Sequence, residues 1–208
     1  VRILLVSPHV DDAEIMNGGS MQKWVEEGAE LYYVAFSDAK ISNEGYDTKV
    51  ECWNALQKIV GLDRINAQIL DYPTRGFYER ESSISEHLYK LKKEIHPDVV
   101  VAPGLEDVHR DHHVVARAVL SIFKGREKVL LYKEPWNCFG VMRLNYFVAL
   151  TEEEVDVKIE AINCYESQRQ KKRPYFNNDY LKAMAVSYGG MCGGDFAEAY
   201  EVVKMVEG

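Results

Sequence analysis

Ile3-Leu4-Leu5-Val6-Ser7-Pro8-His9-Val10-Asp11-Asp12-Ala13-Glu14, near the start of the chain, is the stretch from which the fold can be read. Four apolar residues in a row, with no polar alternation, are the mark of a strand covered on both faces. Such strands belong to parallel sheets with helices on each side. The chain then leaves the strand on a histidine and two adjacent aspartates. Neighbouring carboxylates repel and need positive charge close by. The stretch therefore calls for a cation at the end of a buried strand.

Working outward, the same alternation repeats. Met21, Trp24 and Val25 are spaced as one helix face, and Gly28 supplies a helix stop. Residues 31–36 read as a second strand. Val50, Trp53, Leu56, Ile59 and Val60 follow a helical period that ends at Gly61. Residues 67–70 form a third strand. Ser83 followed by Glu86 reads as a capping box, and Ile84, Leu88, Leu91 and Ile95 as the stripe of that helix. Residues 98–102 are a fourth strand, a helix from about Asp111 carries Val114, Val115, Ala118 and Val119, and residues 129–132 are a fifth strand. Strands alternating with helices of this length predict an α/β fold with a mostly parallel sheet and helices on both faces.

The last third is less regular. Residues 147–150 read as an edge strand, and Thr151 with Glu154 as a second capping box ahead of Val155, Ile159 and Ile162. A basic run, Arg169-Gln170-Lys171-Lys172-Arg173, follows. It can face an anionic substrate such as a sugar phosphate or serve as a solvated face. Repeats and linkers are absent, so residues 1–208 are expected to form a single domain.

The totals narrow the function. A length of 208 residues, 47% of them hydrophobic, suffices for one core of ordinary size. The net charge of −8 argues against a general nucleic-acid surface, which needs a basic excess. No apolar run reaches the ~18–20 residues of a membrane span. Cys52, Cys138, Cys164 and Cys192 are scattered without a CxxC pair, and no signal-peptide pattern is seen. Reduced thiols in a cytoplasmic protein are expected. A homo-oligomer is compatible with all of this.

Ligands of parallel sheets bind beyond the carboxyl ends of the strands. The first loop leaves strand one there, and Pro103-Gly104-Leu105-Glu106-Asp107-Val108-His109-Arg110-Asp111-His112-His113 leaves strand four on the same rim. His9, Asp12 and His112 make the two-imidazole, one-carboxylate set of an open metal site. The bland alternative is that these polar residues cap helices; two such loops on one rim favour the metal. Asp11 is then free to take a proton from water. His109 can donate a proton or stabilise an oxyanion, and Asp111 can orient His109 or cap its helix. His113 reads as structural. Gly18-Gly19 allow close backbone approach or a flexible helix start.

With these residues in view, the chain resembles the PIG-L/LmbE-like N-deacetylases. "SPHVDDAEIMNGG" is similar to their His-Pro-Asp-Asp-Glu signature with a downstream Gly-Gly pair, and "DVHRDHH" to their Asp-x-His-x-Asp-His signature. Glu51, Ala55 and Gly61, the segment "HPDVVVAP", Lys158, Ala161, Tyr165, Ser167 and Gln168, and "FAEAYEV" extend the likeness over nearly the whole chain. The resemblance implies a Rossmann-like three-layer fold and zinc-dependent removal of an N-acetyl group from an amino sugar of N-acetylglucosamine type. It implies one zinc on His9, Asp12 and His112, with another divalent metal such as Fe2+ as the alternative. It also implies Asp11 as general base and His109 at the tetrahedral intermediate or leaving amine, supported by Asp111. Val10 and Ala13 depart from the signature. Met16 stands where glycine is frequent and is expected to narrow the pocket. Lys49 and Arg75 are the candidate substrate contacts.

Three rivals remain. A different amide can be the substrate of the same machinery. His9-Val10-Asp11 also spells the HxD of a mononuclear Fe(II) oxygenase, though those sites sit on jelly rolls and would leave Asp12 without a role. A binding module that has lost catalysis has no need to retain Asp11 and His109.

Overall fold

The computed structural model describes residues 1–141 and 143–206. Seven strands join in one sheet in the order β3-β2-β1-β4-β5-β7-β6. They are β1 (Arg2–His9), β2 (Glu30–Ser37), β3 (Ile65–Ile69), β4 (Val99–Pro103), β5 (Lys128–Tyr132), β6 (Tyr146–Leu150) and β7 (Phe196–Lys204). The first five are parallel; β7 runs antiparallel to both β5 and β6. The helices are α1 (Asp12–Glu26), α2 (Thr48–Ile59), α3 (Glu81–Ile95), α4 (Arg110–Ile122), α5 (Glu152–Ile162), α6 (Glu166–Arg169) and α7 (Asn178–Cys192).

The apolar run that opens the chain explains the layering. Ile3 and Leu5 face one core, with Leu31, Tyr33 and Ala35 of β2 and with α1, α2, α5 and α7. Leu4 and Val6 face the other, with Val34 and Phe36 and with α3 and α4. Period-two side chains in a strand buried on both faces must feed two cores, and these do. The fold is a three-layer α/β sandwich, as the sequence implies.

Gly18 and Gly19 serve this packing. A Cβ at Gly18 would lie 3.0 Å from Lys158 Cγ, and one at Gly19 would lie 2.5 Å from Leu150 Cδ1. The pair thus admits α5 and β6 against α1. The Gly19 and Ser20 N–H groups donate to Glu198 of β7, whose Oε1 also accepts from Lys158 Nζ at 2.7 Å.

Two expected features differ. Ser83 and Glu86 do not form a capping box, because α3 starts two residues earlier, at Glu81, with Arg80 as its uncapped N-cap. The Thr151–Glu154 box is present with both of its bonds. The region after residue 163 holds more structure than its sequence pattern suggests: α6, α7 and β7 all lie there. Among the described residues, no helix is long and apolar enough to cross a membrane, and the four cysteines are free thiols.

Strand order reverses between β1 and β4, which are paired neighbours. Their outgoing loops therefore flank the crevice where open α/β sheets bind ligands.

Candidate metal centre and its cleft

The loop after β1 is tied into one conformation. The Ser7 hydroxyl donates to the His9 carbonyl at 2.6 Å and accepts the Ala13 N–H at 3.1 Å. Val10 N–H donates to Ser37 O at 3.0 Å. Asp11 is forced to φ 94°, a left-handed value that costs a non-glycine residue about 1–3 kcal/mol. It stands at the N-cap of α1 without making a capping bond. Helix capping therefore does not account for this aspartate.

Three buried side-chain atoms converge here. His9 Nδ1 and His112 Nε2 each lie 3.1 Å from Asp12 Oδ2, and the two nitrogens are 3.2 Å apart. A tetrahedral ion with bonds of about 2 Å separates its ligands by about 3.3 Å. Two imidazoles and a carboxylate at that spacing fit a zinc-like divalent ion.

The outward nitrogens support the same fit. His9 Nε2 lies 3.0 Å from Asp111 Oδ2, and His112 Nδ1 lies 2.7 Å from Asp107 Oδ2. A ring N–H donated to a carboxylate leaves the opposite nitrogen with its lone pair facing the triangle, the arrangement typical of metal-binding histidines. The ring charges follow the carboxylates. Burial pulls both imidazoles down, but Asp12 and the outer carboxylates outweigh it, leaving His9 raised and His112 well above the usual range. Burial would raise Asp12, yet His112 and His9 hold it well below a normal carboxylate.

Asp111 is neither the partner of His109 nor a helix cap. His109 itself is the N-cap of α4. Asp111 instead reaches His9 and accepts the N–H groups of Arg75 at 2.6 Å and Phe77 at 3.3 Å. The His109 ring centroid lies 5.0 Å from that of His9 and 4.5 Å from that of His112, and its buried Nδ1 has no hydrogen-bond partner among the described residues. Burial, with His112 and His9 adding to it, lowers its pKa to about 4. The imidazole is thus neutral at pH 7. Asp11 shifts the other way: burial, followed by Asp12 and Glu14, raises it well above 3.8.

His9, Asp12 and His112 line one cleft of about 550 Å³ with Asp11 and His109, while Asp111 and Asp107 lie behind its wall. Asp11, His109 and Arg75 are in its lining, but Lys49 is not; that ammonium faces Asp38 at 3.7 Å. Met16 does not narrow the cleft either. It is 2% exposed within the core, and the preceding Ile15 is the helix residue at the cleft wall. Trp136 lines the cleft stacked on Tyr175, with ring centroids 4.1 Å apart and planes 8° from parallel.

The HxD arrangement of an iron oxygenase fails on geometry, because it is Asp12, not Asp11, that meets both imidazoles. Three acids had no role in the sequence reading. Asp107 steadies His112. Glu134, just after β5, is buried beside the triangle, its Oε1 3.8 Å from His112 Nδ1. Glu14 faces away from the cleft and accepts from Tyr165 at 2.6 Å, Tyr33 at 3.1 Å and Cys52 at 3.2 Å. It fixes the start of α1 from below.

The family profile described as GlcNAc-PI de-N-acetylase (PIG-L) matches residues 4–123. A diacetylchitobiose deacetylase of Thermococcus kodakarensis is 25% identical, the alignment covering 97% of this chain and 83% of that protein. The A40926 pseudoaglycone deacetylase Dbv21 superposes with a TM-score of 0.80 at 19% identity, over 100% of this chain and 99% of that one. The 4-carboxy-2-hydroxymuconate hydratase GalB of Pseudomonas putida superposes with a TM-score of 0.75 at 19% identity, over 100% and 98%. Enzymes of different chemistry thus share this fold, and the site has to decide between them.

Proposed function

The chain belongs to the PIG-L family, described by GlcNAc-PI de-N-acetylase, and from that membership and the rim geometry we propose that it hydrolyses the N-acetyl group of an amino sugar of N-acetylglucosamine type. The products are acetate and a free amine. The observation that carries this reading is the triangle of His9, Asp12 and His112, backed by Asp111 and Asp107, with Asp11 and His109 on the same cleft.

His9, Asp12 and His112 would hold one divalent ion, which we assign as zinc. When bound, it supplies Lewis-acid polarisation and makes hydroxide available near neutral pH. Asp11, its carboxyl pushed up by burial and by Asp12 beside it, takes the proton of the attacking water. His109, a neutral imidazole, hydrogen-bonds the oxyanion of the tetrahedral intermediate, and the proton taken up by Asp11 is the one that goes to the departing amine. Asp111 acts at one remove, holding His9 in the tautomer that frees Nδ1. Trp136 and Tyr175 offer a flat apolar wall for a sugar ring. Arg75 remains a candidate substrate contact, whereas Lys49 is placed to position Asp38. Residues 1–208 would act as one domain, since strands from both ends join one sheet. A cytoplasmic setting would keep its four thiols reduced.

The deciding experiment is amine and acetate release over a panel of N-acetylated glucosamine derivatives, with N-formyl, N-propionyl and plain amide analogues beside them, with and without zinc. Acetyl sugars should lead the panel. Turnover confined to a non-sugar amide would replace the substrate class while leaving the hydrolytic machinery in place.

A further inference from the structure

The basic run at 169–173 divides when folded. Lys171 and Arg173 line the cleft, whereas Lys172 between them adopts φ 51° and does not. Lys171 Nζ is held at the wall by two neutral acceptors, Ser42 O at 2.9 Å and Asn43 Oδ1. An ammonium has three donors, so one N–H is left for a ligand. Asn43 is braced in turn by Gln168, whose Nε2 donates to its Oδ1 at 2.7 Å. Lys171 and Arg173 make no ion pair within 4.0 Å among the described residues, and the carboxylate that acts on both from farther away is Asp11.

Charge counting points the same way. The acids of the cleft, Asp11, Asp12 and Glu134, are matched in number by Arg75, Lys171 and Arg173. A divalent ion on the triangle leaves the cleft net positive. The cations also oppose each other: burial, then Arg173, lowers the Lys171 ammonium. An anion between them would relieve that repulsion.

We propose that Lys171 and Arg173, with Arg75 from the loop after β3, form an anion subsite that takes a phosphate-class group carried by the amino-sugar substrate. The proposal rests on the amino-sugar reading for its substrate, but its test is separable. Two ligands are titrated by calorimetry into the zinc-loaded chain in a His109→Ala background, which suppresses turnover and leaves the Asp11 charge beside the cations in place. They are N-acetylglucosamine 1-phosphate and the neutral methyl N-acetylglucosaminide.

The phosphate should bind at least about tenfold tighter, and Lys171→Met and Arg173→Gln should each weaken it by about tenfold, the scale of one charge-assisted hydrogen bond. The neutral glycoside should shift by less than about threefold in either variant. Equal affinity for the two ligands, or equal weakening of both, overturns the subsite and leaves the two cations as partners of the wall. Phosphate selectivity in a chain that hydrolyses no N-acetyl sugar would sink the assigned reaction and keep the subsite. Hydrolysis without phosphate selectivity would do the reverse.

Discussion

Asp111 Oδ2 lies 3.0 Å from His9 Nε2, and the same oxygen takes the Arg75 N–H at 2.6 Å. One carboxylate of α4 therefore sets the ring of a residue at the end of β1 and fastens the loop after β3. If His9 Nδ1 holds the metal, Asp111 controls its availability from the far side of the ring. Asp111→Asn should lower metal affinity by about 10- to 100-fold, the usual cost of losing such a partner. Competition against a chromophoric chelator measures this directly. The secondary structure by circular dichroism should be unchanged, since the amide oxygen can still accept one loop N–H.

Asp11 and Asp12 are adjacent but not equivalent. Only Asp12 touches both imidazoles. Asp11→Asn should keep one metal per chain and lose about 10²- to 10⁴-fold in kcat, the range attributed to a positioned base. Metal analysis and turnover on the same preparation check it. A variant with near-normal kcat would remove Asp11 from the reaction.

The strap between α1, α5 and β7 is an ion pair withdrawn from water. Lys158 Nζ and Glu198 Oε1 are 2.7 Å apart with side chains 2% and 3% exposed. Lys158→Met leaves Glu198 buried without its cation. The expected loss is about 3–5 kcal/mol in urea denaturation. A loss under about 1 kcal/mol would mean that the Gly19 and Ser20 N–H groups and the Tyr200 hydroxyl satisfy the carboxylate without the ammonium.

Glu127 links α3, β5 and β7, with Oε1 2.7 Å from Lys92 Nζ and Oε2 3.9 Å from Lys204 Nζ. Burial alone would raise its pKa, but the Lys92 hydrogen bond outweighs that and the carboxyl sits below the ordinary glutamate value of 4.5. A depressed acid binds its proton more weakly in the folded state. Its stabilisation is therefore full above 4.5 and fades as the pH falls through the lowered folded value. Melting temperatures of Glu127→Gln and the parent should differ most near neutrality and converge in acid. A gap that widens on acidification would reverse the sign.

The first two-thirds of the chain was legible because β1, β2 and β4 are built on apolar runs. Residues 3–6 and 100–102 are buried, and burial on both faces points to a parallel sheet. β7 was not legible as a strand because it carries Glu198 and Glu201, and charges in a strand read as solvent-facing. Glu198 is 2% exposed and its charge is met by Lys158, a partner the sequence does not reveal. The meeting of His9, Asp12 and His112 could be read from two rim motifs. The pairing of Asp111 with His9 could not, because it depends on which way an imidazole turns. Asp107 stands five residues before His112 inside the second motif, and its carboxylate was the available signal for a ring partner. Met16 and Lys49 misled for a related reason: position in a motif does not fix which side of a helix or loop meets the cleft.

The proposed hydrolysis depends on one divalent ion held by His9, Asp12 and His112. Its most direct test is amine release from an N-acetylglucosamine derivative by chain stripped of metal, then titrated with zinc. Turnover should vanish on stripping and return in proportion to zinc up to one equivalent, and His112→Ala should neither bind the ion nor recover. Undiminished turnover by fully stripped protein, or a His112→Ala chain that still binds one equivalent and works, would contradict the account.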